Sequence, residues 1–309
     1  MEYSTNKGLN AFFNTLVERE AIFIRKELLK QSKPYTNDHV LATYRFCNVH
    51  RCLDKTFVLL SRLNICNAGL RVMLRWMASN PMLDHILTVL NEPRCAQYSQ
   101  WCFAWQHAEH FGEPQPLIDL ILKAYRYQNI PLVSGSFIVK RYGNDAKQLH
   151  DYYDCGNAFM AKLTAGQITS TKQAVKYFKD NAPWCADFTA YCIVSDFIYT
   201  NPDSFTDLYS WTAFGPGAFR GINDIIPTTR ANYLDHLRSL RIEWEQRALL
   251  LEQDLCLRVN MDLEDISQLC EQNEYADLPY MLTHPMMLDV EHWLCELHKY
   301  LRGNAKRRY

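Results

Sequence analysis

The sequence predicts a mainly α-helical fold, and three observations lead to this prediction. Only 11 glycines and 12 prolines occur among the 309 residues, which is below the average usage of about 12 per cent for the two together. Apolar residues recur at intervals of three and four through most of the chain, as they do on the buried face of a helix. Hydrophobic residues make up 48% of the sequence and charged residues 22%, a balance that disordered chains do not have.

The helical spacing divides the chain into successive segments. In the first half they are predicted at 12–29, 40–63, 70–76, 82–90, 101–110 and 117–127. In the second half they are predicted at 146–163, 170–180, 188–199, 232–257, 263–272 and 288–301. Residues 131–142 alternate in polarity, which favours a short β-hairpin or an extended loop as an insertion.

A chain of this length can bury a sizeable core. We expect residues 1–309 to form a single helical catalytic unit, or two lobes. The first lobe would combine about 1–130 with the C-terminal helices, and the second would span about 146–230.

Charge and cysteine usage restrict the classes of partner and compartment. The 33 basic and 34 acidic residues nearly cancel, so any contact with DNA needs a local basic patch. Eleven cysteines without a C-x-x-C pair are typical of reduced thiols rather than a disulfide framework. No apolar run approaches the roughly 20 residues that span a bilayer. We therefore expect a soluble, cytoplasmic protein that does not contact membranes.

The first segment with chemical potential runs from Tyr44 to Lys55. On a helix, its apolar residues would form a buried stripe, and the opposite stripe would carry Asn48, Arg51 and Lys55, with Asp54 beside them. One interpretation is a solvated polar face. The other is a binding site, because Arg recognises phosphate through two parallel hydrogen bonds and Asn reads a base edge as donor and acceptor.

The second segment is G-P-G-A-F-R-G-I-N-D, from Gly215 to Asp224. Glycines such as Gly215 and Gly217 let a backbone approach a ligand closely, and the amides that open the next helix form an anion site. Arg220 would suit a phosphodiester at that place. The alternative is a structural turn between two helices. No G-K-[ST] follows, so the segment is not a Walker A loop.

The third segment, 289–300, carries Asp289, His292, Glu296 and Lys299 at spacings of three and four, on a face other than its apolar stripe. One interpretation is an ordinary surface pair of Glu296 with Lys299. The other is a carboxylate and an ammonium presented to a cleft for acid and base chemistry. No further His or Cys completes a tetrahedral set, so we predict no metal site.

The three segments contain R-F-x-N-V-x-R-x-x-D, G-P-G-x-x-R-G-x-N and L-C-E-x-x-K-Y. Together, in this order, they resemble the alpha-glutamyl/putrescinyl thymine pyrophosphorylase family, whose helical domain also occurs in hydroxymethyl-deoxyuridine DNA kinases of phages. The resemblance implies a helical DNA-glycosylase-like fold, related to the helix-hairpin-helix enzymes, that acts on modified pyrimidines in DNA. The place of the glycosylase hairpin is taken by 183–187, which lacks the usual G-x-G.

The leading expectation from this resemblance is a monofunctional DNA glycosylase. It would flip a bulky hypermodified pyrimidine out of phage DNA and excise it, leaving abasic sites, in antiphage defence. It would need no cofactor and no obligate protein partner, with modified double-stranded DNA as its substrate. The predicted catalytic set is Asp54, Asn48, Arg51, Glu296, Asn223 and Asp207, with the essential carboxylate open between Asp54, Asp207 and Glu296. The predicted DNA contacts are Arg45, Lys55, Gly215, Gly217, Arg220 and Lys299.

Two alternatives remain at this point. In the first, a transferase places an amino acid or a polyamine on the exocyclic carbon of an activated hydroxymethyluracil in DNA. Arg45, Arg51 and Lys55 would then bind the leaving phosphate or pyrophosphate, and Glu296 would deprotonate the incoming amine. In the second, the chain is a helical DNA-binding or scaffold protein without turnover, which would call for a basic excess.

Overall fold

The structure is a computed structural model, and it describes residues 6–133, 141, 143–273, 275 and 282–303. Within these residues the protein is mainly helical, as the sequence predicts, and contains no β-strand. Most of the predicted β insertion near 131–142 lies outside the described residues. No described helix combines the length and the apolar character needed to cross a membrane. All eleven cysteines carry free thiols.

The chain forms two compact units. The first comprises residues up to 54 and from 207 onwards, and the second comprises residues 55–206. Each unit is described by itself below.

The first unit begins with α1 (Lys7–Phe23), which continues into a π-helical turn at Ile24–Leu28. The side chain of Asn6 caps α1 by accepting the Leu9 amide at 3.1 Å, which satisfies one of the free amides of the first turn. The other helices of this unit are α2 (His39–Thr43), α11 (Pro216–Asn223), α12 (Tyr233–Gln246), α13 (Ala248–Val259), α14 (Leu263–Gln272) and α15 (Met287–Arg302).

Helix α15 is the centre of the first unit, because its residues from Met287 to Leu294 are all buried. Trp293 on α15 is 1% exposed, and its indole Nε1–H donates to the Phe12 carbonyl of α1 at 3.2 Å. Trp244 of α12 is fully buried, and its ring meets Phe12 edge to face at 5.8 Å. Three helices therefore meet at one aromatic core.

The second unit holds eight helices in the part of the chain that the structure describes. They are α3 (Lys55–Arg62), α4 (Ala68–Met77), α5 (Asn80–Asn91), α6 (Tyr98–Gln106), α7 (Gln115–Tyr127), α8 (Asp145–Thr164), α9 (Thr171–Asn181) and α10 (Asp187–Thr200). Helices α4 and α8 cross closely, because a Cβ on Gly156 would lie 2.7 Å from the Ala68 carbonyl. The rings of Trp76 and Tyr152 stack beside this crossing at 5.1 Å.

Two predicted helices are wrong. The segment 40–63 contains helices only at His39–Thr43 and Lys55–Arg62, and residues 44–54 between them are irregular apart from a 3-10 turn at Arg51–Leu53. The apolar residues of 44–54 are buried as expected, but side chains rather than a helical ladder satisfy the backbone of this segment, as described below.

The predicted helix at 232–257 is interrupted at Arg247, where φ is −95° and ψ is 1°. There the amide of Arg247 bonds to the Trp244 carbonyl at 3.0 Å, and a new helix starts at Ala248. No glycine or proline marks the break in the sequence. The predicted turn 215–224 is also different, because Pro216–Asn223 is itself a helix.

Candidate functional site

Residues 44–54 are held by side chains of α1 and α15. Arg19 donates through Nε to the Cys47 carbonyl at 3.0 Å and through Nη2 to Asn48 Oδ1 at 2.6 Å. Glu296 Oε2 accepts the Cys47 amide at 3.1 Å. His292 Nε2 lies 3.0 Å from the Asn48 carbonyl, and because a carbonyl only accepts, this nitrogen carries the proton. These bonds replace the helical ladder that the apolar spacing predicts.

We name this group the polar cluster. It consists of Arg19, Asn48, Arg51, His292, Glu296 and Lys299, and four of these were predicted as site residues. Glu296 is 1% exposed and forms an ion pair with the half-buried Lys299. Arg51 is 8% exposed and His292 is 6% exposed. Of the two interpretations of each segment, a solvated stripe therefore does not describe Arg51, and an ordinary surface pair does not describe Glu296 with Lys299.

The protonation states of the cluster follow from burial and from neighbouring charges. Burial lowers the pKa of His292 well below its ordinary 6.5, and the charges of Arg51 and Lys299 add to this effect. Burial also lowers the pKa of Lys299, but the carboxylate of Glu296 more than offsets this, so the pKa is raised. At neutral pH the cluster thus combines a neutral imidazole with a charged ammonium and buried guanidinium groups.

A second ionic group lies in the core of the first unit and was missed from the sequence. His50 Nδ1 lies 3.2 Å from Asp289 Oδ1, and its Nε2 lies 3.9 Å from Glu20 Oε1. All three side chains are buried. Burial lowers the pKa of His50, yet Asp289 and Glu20 raise it above its ordinary value. His50 therefore links α1 and α15 to the 44–54 segment, which also carries Asn48 and Arg51.

The glycines of the second motif face α15. The amide of Gly215, the N-cap of α11, donates to Glu291 Oε1 at 3.2 Å. A Cβ on Gly217 would lie 2.8 Å from Cys295 Sγ, and one on Gly221 would lie 2.7 Å from the Leu294 carbonyl carbon. The start of α11 therefore faces a carboxylate, which disfavours a phosphate at Gly215. Gly217 and Gly221 serve close packing of the two helices.

The other predicted site residues lie outside the polar cluster. Asn223 is exposed, but its side chain donates to the Phe219 carbonyl at 2.8 Å and accepts the Thr228 amide at 2.9 Å. The carbonyl of Asp207 accepts the amides of Ser210 and Trp211 in a turn. Both positions thus have local structural roles.

Four further predicted residues are at least partly accessible. Arg45 and Arg220 are exposed, and Asp54 is half-buried at the end of the 3-10 turn. Lys55 opens α3 in the second unit, where its ammonium pairs with Asp84 at 2.9 Å. Their roles in binding or catalysis stay predictions.

The first unit is thus a helical domain in which a buried polar cluster holds the irregular segment 44–54 with its two arginines. The family model described as 5-hmdU DNA kinase, helical domain, matches residues 6–73 and 103–308. The chain belongs to this family.

One curated relative is a 5-hmdU DNA kinase of Bacillus phage SP10, which is 23% identical over 279 residues. The match covers 79% of this chain and 42% of the relative, so the chain corresponds to less than half of that protein. No solved structure matches the chain.

The expectation of a DNA glycosylase is wrong. The family is that of a DNA kinase helical domain, and the relative is named as a DNA kinase, which transfers a group to DNA rather than hydrolysing a glycosidic bond. The expectations of base excision and of a hydrolase are therefore not kept. The expected link to the helical domain of hydroxymethyl-deoxyuridine DNA kinases is confirmed.

Proposed function

We propose that this chain is a DNA-modifying transferase that acts on 5-hydroxymethyldeoxyuridine in DNA. The observation that carries the proposal is the extent of the family match. It includes every residue of the polar cluster, since Arg19, Asn48 and Arg51 fall within 6–73, and His292, Glu296 and Lys299 fall within 103–308. The relative's name, 5-hmdU DNA kinase, supports the substrate class.

The proposed reaction is substitution at the exocyclic carbon of a hydroxymethyl group that already carries a phosphate. The nitrogen of a primary amine forms the new bond to that carbon. The carbon–oxygen bond breaks, and the phosphate leaves with its electron pair. The amine's proton passes to a base. The narrower resemblance to the thymine pyrophosphorylases supports this choice of nucleophile.

Residues of the polar cluster fit this reaction. Arg51 and Lys299 supply positive charge for the leaving phosphate, because charge-assisted hydrogen bonds to an anion are among the strong ones. When the flexible Lys299 turns to the phosphate, its partner Glu296 becomes available to accept the amine's proton. The side chain of Asn48 is fixed in the segment, because it accepts from Arg19 and donates to the Leu53 carbonyl at 2.6 Å. We also propose that the helical fold of this chain is related to that of the helix-hairpin-helix DNA glycosylases.

The sequence lacks G-x-x-x-x-G-K-[ST], the loop with which P-loop kinases hold nucleotide phosphates. We therefore assign phosphorylation of the hydroxymethyl group to a kinase domain outside this sequence. The present chain would act on the product of that kinase.

The test is nucleoside mass spectrometry after incubation with three duplexes that differ at one base. They carry thymidine, 5-hydroxymethyldeoxyuridine or its phosphorylated form, each with a primary amine such as ethanolamine. We expect an amine adduct only from the phosphorylated duplex. Glu296→Gln should lower the rate by about 10²-fold, as loss of a general base does.

Arg302→Met is the matched control for Lys299→Met, because Arg302 is exposed on the last turn of the same helix. We expect Arg302→Met to leave the rate unchanged and Lys299→Met to reduce it. The absence of an adduct from all three duplexes, or equal rates for the two variants, would refute the proposal.

A further inference from the structure

A cavity of about 560 Å³ lies within the first unit, and no residue of the polar cluster lines it. Its walls come from α1, from the loop before α2, and from one residue each of α13 and α15. The residues that matter for its chemistry are Glu18, Arg25, Tyr35, Asp38, Arg258 and Tyr300. The volume falls in the range of about 300–1,000 Å³ that is usual for small-molecule sites.

The two guanidinium groups of the cavity are neutralised by the protein. Arg258 contacts Asp254 through Nε at 3.1 Å and through Nη2 at 2.8 Å, and it contacts Glu18 at 2.9 Å. Arg25 pairs with Glu18 at 3.2 Å and donates to the Tyr35 carbonyl at 2.6 Å. Two arginines are thus matched by two carboxylates, and their donors are engaged. An anionic ligand would find few of those donors available.

Asp38 is the carboxylate that this pairing leaves over. Among the described residues its hydrogen-bond partners are uncharged: Oδ1 accepts the Leu41 amide at 2.8 Å, and Oδ2 accepts the Tyr300 hydroxyl at 2.8 Å. Burial and the charge of Asp38 raise the pKa of Tyr300 to about 12. The cavity lining with its direct partners therefore carries one negative charge in excess, located at Asp38.

Aromatic rings adjoin this charge. Tyr35 and Tyr300 both pack against the small apolar cluster of Ile22, Leu41 and Phe46. A carboxylate beside partly buried tyrosines is a favourable environment for an ammonium group, because the carboxylate supplies a counter-ion and charge-assisted hydrogen bonds are strong.

We propose that this cavity binds a small primary ammonium ligand, with Asp38 as its counter-ion and Tyr300 as the residue that orients the Asp38 carboxylate. Tyr300 in the cavity wall directly follows Lys299 of the polar cluster on α15. Use of the bound amine as the nucleophile rests on the proposed function. The binding itself does not.

The test is isothermal titration calorimetry of the full chain without DNA. Four probes of similar size are titrated: n-butylammonium, 1,4-diaminobutane, 1-butanol and butyrate. We expect the two ammonium compounds to bind and the neutral and anionic probes not to bind. Asp38→Asn should weaken ammonium binding at least tenfold, while the new side chain keeps an oxygen for the cap of α2. The matched control is Glu264→Gln, which removes an exposed carboxylate of the same unit on α14.

Tyr300→Phe provides a second variant if Asp38→Asn does not fold, as judged by circular dichroism. It keeps the ring and removes the bond to Asp38, so ammonium binding should weaken severalfold. The proposal is overturned if no ammonium probe binds, if butanol or butyrate binds as well, or if the pocket variants bind like Glu264→Gln. Ammonium binding without formation of a DNA adduct would refute only the proposed function. An adduct formed at full rate by Asp38→Asn would refute only the assignment of the cavity.

Discussion

The packing of α11 on α15 can be tested with a single methyl group. A Cβ on Gly221 would lie 2.7 Å from the carbonyl carbon of Leu294 and closer still to its oxygen, whereas real Cβ atoms essentially never approach within 3.0 Å. The opposing atoms belong to the backbone of α15, so no side chain can turn away. Gly221→Ala must therefore separate the two helices, by a distance on the order of 1 Å if dense packing is to be restored.

The expected cost combines two opposing effects. Overpacking of a well-packed core costs about 1–3 kcal/mol, and a rigid backbone places this site near the upper end. Alanine in place of glycine inside a helix returns about 1 kcal/mol. The net loss of about 2 kcal/mol corresponds to a fall in Tm of about 4–8 °C for a domain of 150–250 residues.

Gly215→Ala is the matched control, because a Cβ there would meet no atom within 4 Å. Thermal unfolding followed by circular dichroism should show a clear drop for Gly221→Ala and a loss below about 1 kcal/mol for Gly215→Ala, the cost of a weaker N-cap. Equal Tm values for Gly221→Ala and the wild type would refute the close approach of the two helices.

Three further predictions concern charge. Because the pKa of His50 is raised in the folded state, its protonation stabilises the fold below pH 6.5, and this contribution is lost as the pH rises through the folded-state pKa. Because the pKa of His292 is lowered, stability falls as the pH drops below 6.5. Urea unfolding across this range should show a flatter alkaline arm for His50→Gln and a flatter acid arm for His292→Gln; unchanged arms would contradict the assignment. Arg45→Ala should leave stability within about 0.5 kcal/mol and lower the salt slope of DNA binding by about one; an unaltered slope would exclude a phosphate contact. Asp196→Ala should cost about 3–5 kcal/mol in chemical unfolding, because it leaves buried Arg75, now 3.4 Å away, without its carboxylate; a loss below 1 kcal/mol would show that the pair is not needed.

The sequence predicts the helices well where apolar spacing and caps agree. The segment 263–272 coincides with α14, and 288–301 lies within α15. The spacing fails at 44–54 because buried apolar residues do not require a helix. Phe46, Val49 and Leu53 reach the core from an irregular backbone, since Arg19, Glu296 and His292 provide the hydrogen bonds that a helix would otherwise supply.

The candidate site was predicted only in part, for a related reason. Asn48, Arg51, Glu296 and Lys299, which lie together in the structure, were singled out because their motifs are unusual in composition. Arg19 and His50 were missed as members because their partners lie more than two hundred residues away or on another segment, and local spacing carries no information about such pairs. A polar stripe at helical spacing normally marks the solvent-exposed face of a helix. On α15 the same spacing places polar side chains that form ion pairs inside the core.

The three motifs therefore share a structural role, because their residues pack against and bond to one another. Gly217 and Gly221 let α11 approach α15, and α15 in turn presents Glu296 and His292 to the backbone of Cys47 and Asn48. A substitution that separates the helices should consequently disturb the backbone of Cys47 and Asn48 without touching it. If Gly221→Ala slows the proposed transfer reaction more than its loss of stability explains, at a temperature where it remains folded, the glycines act on the chemistry by positioning α15. A rate that follows the folded fraction alone would restrict them to packing.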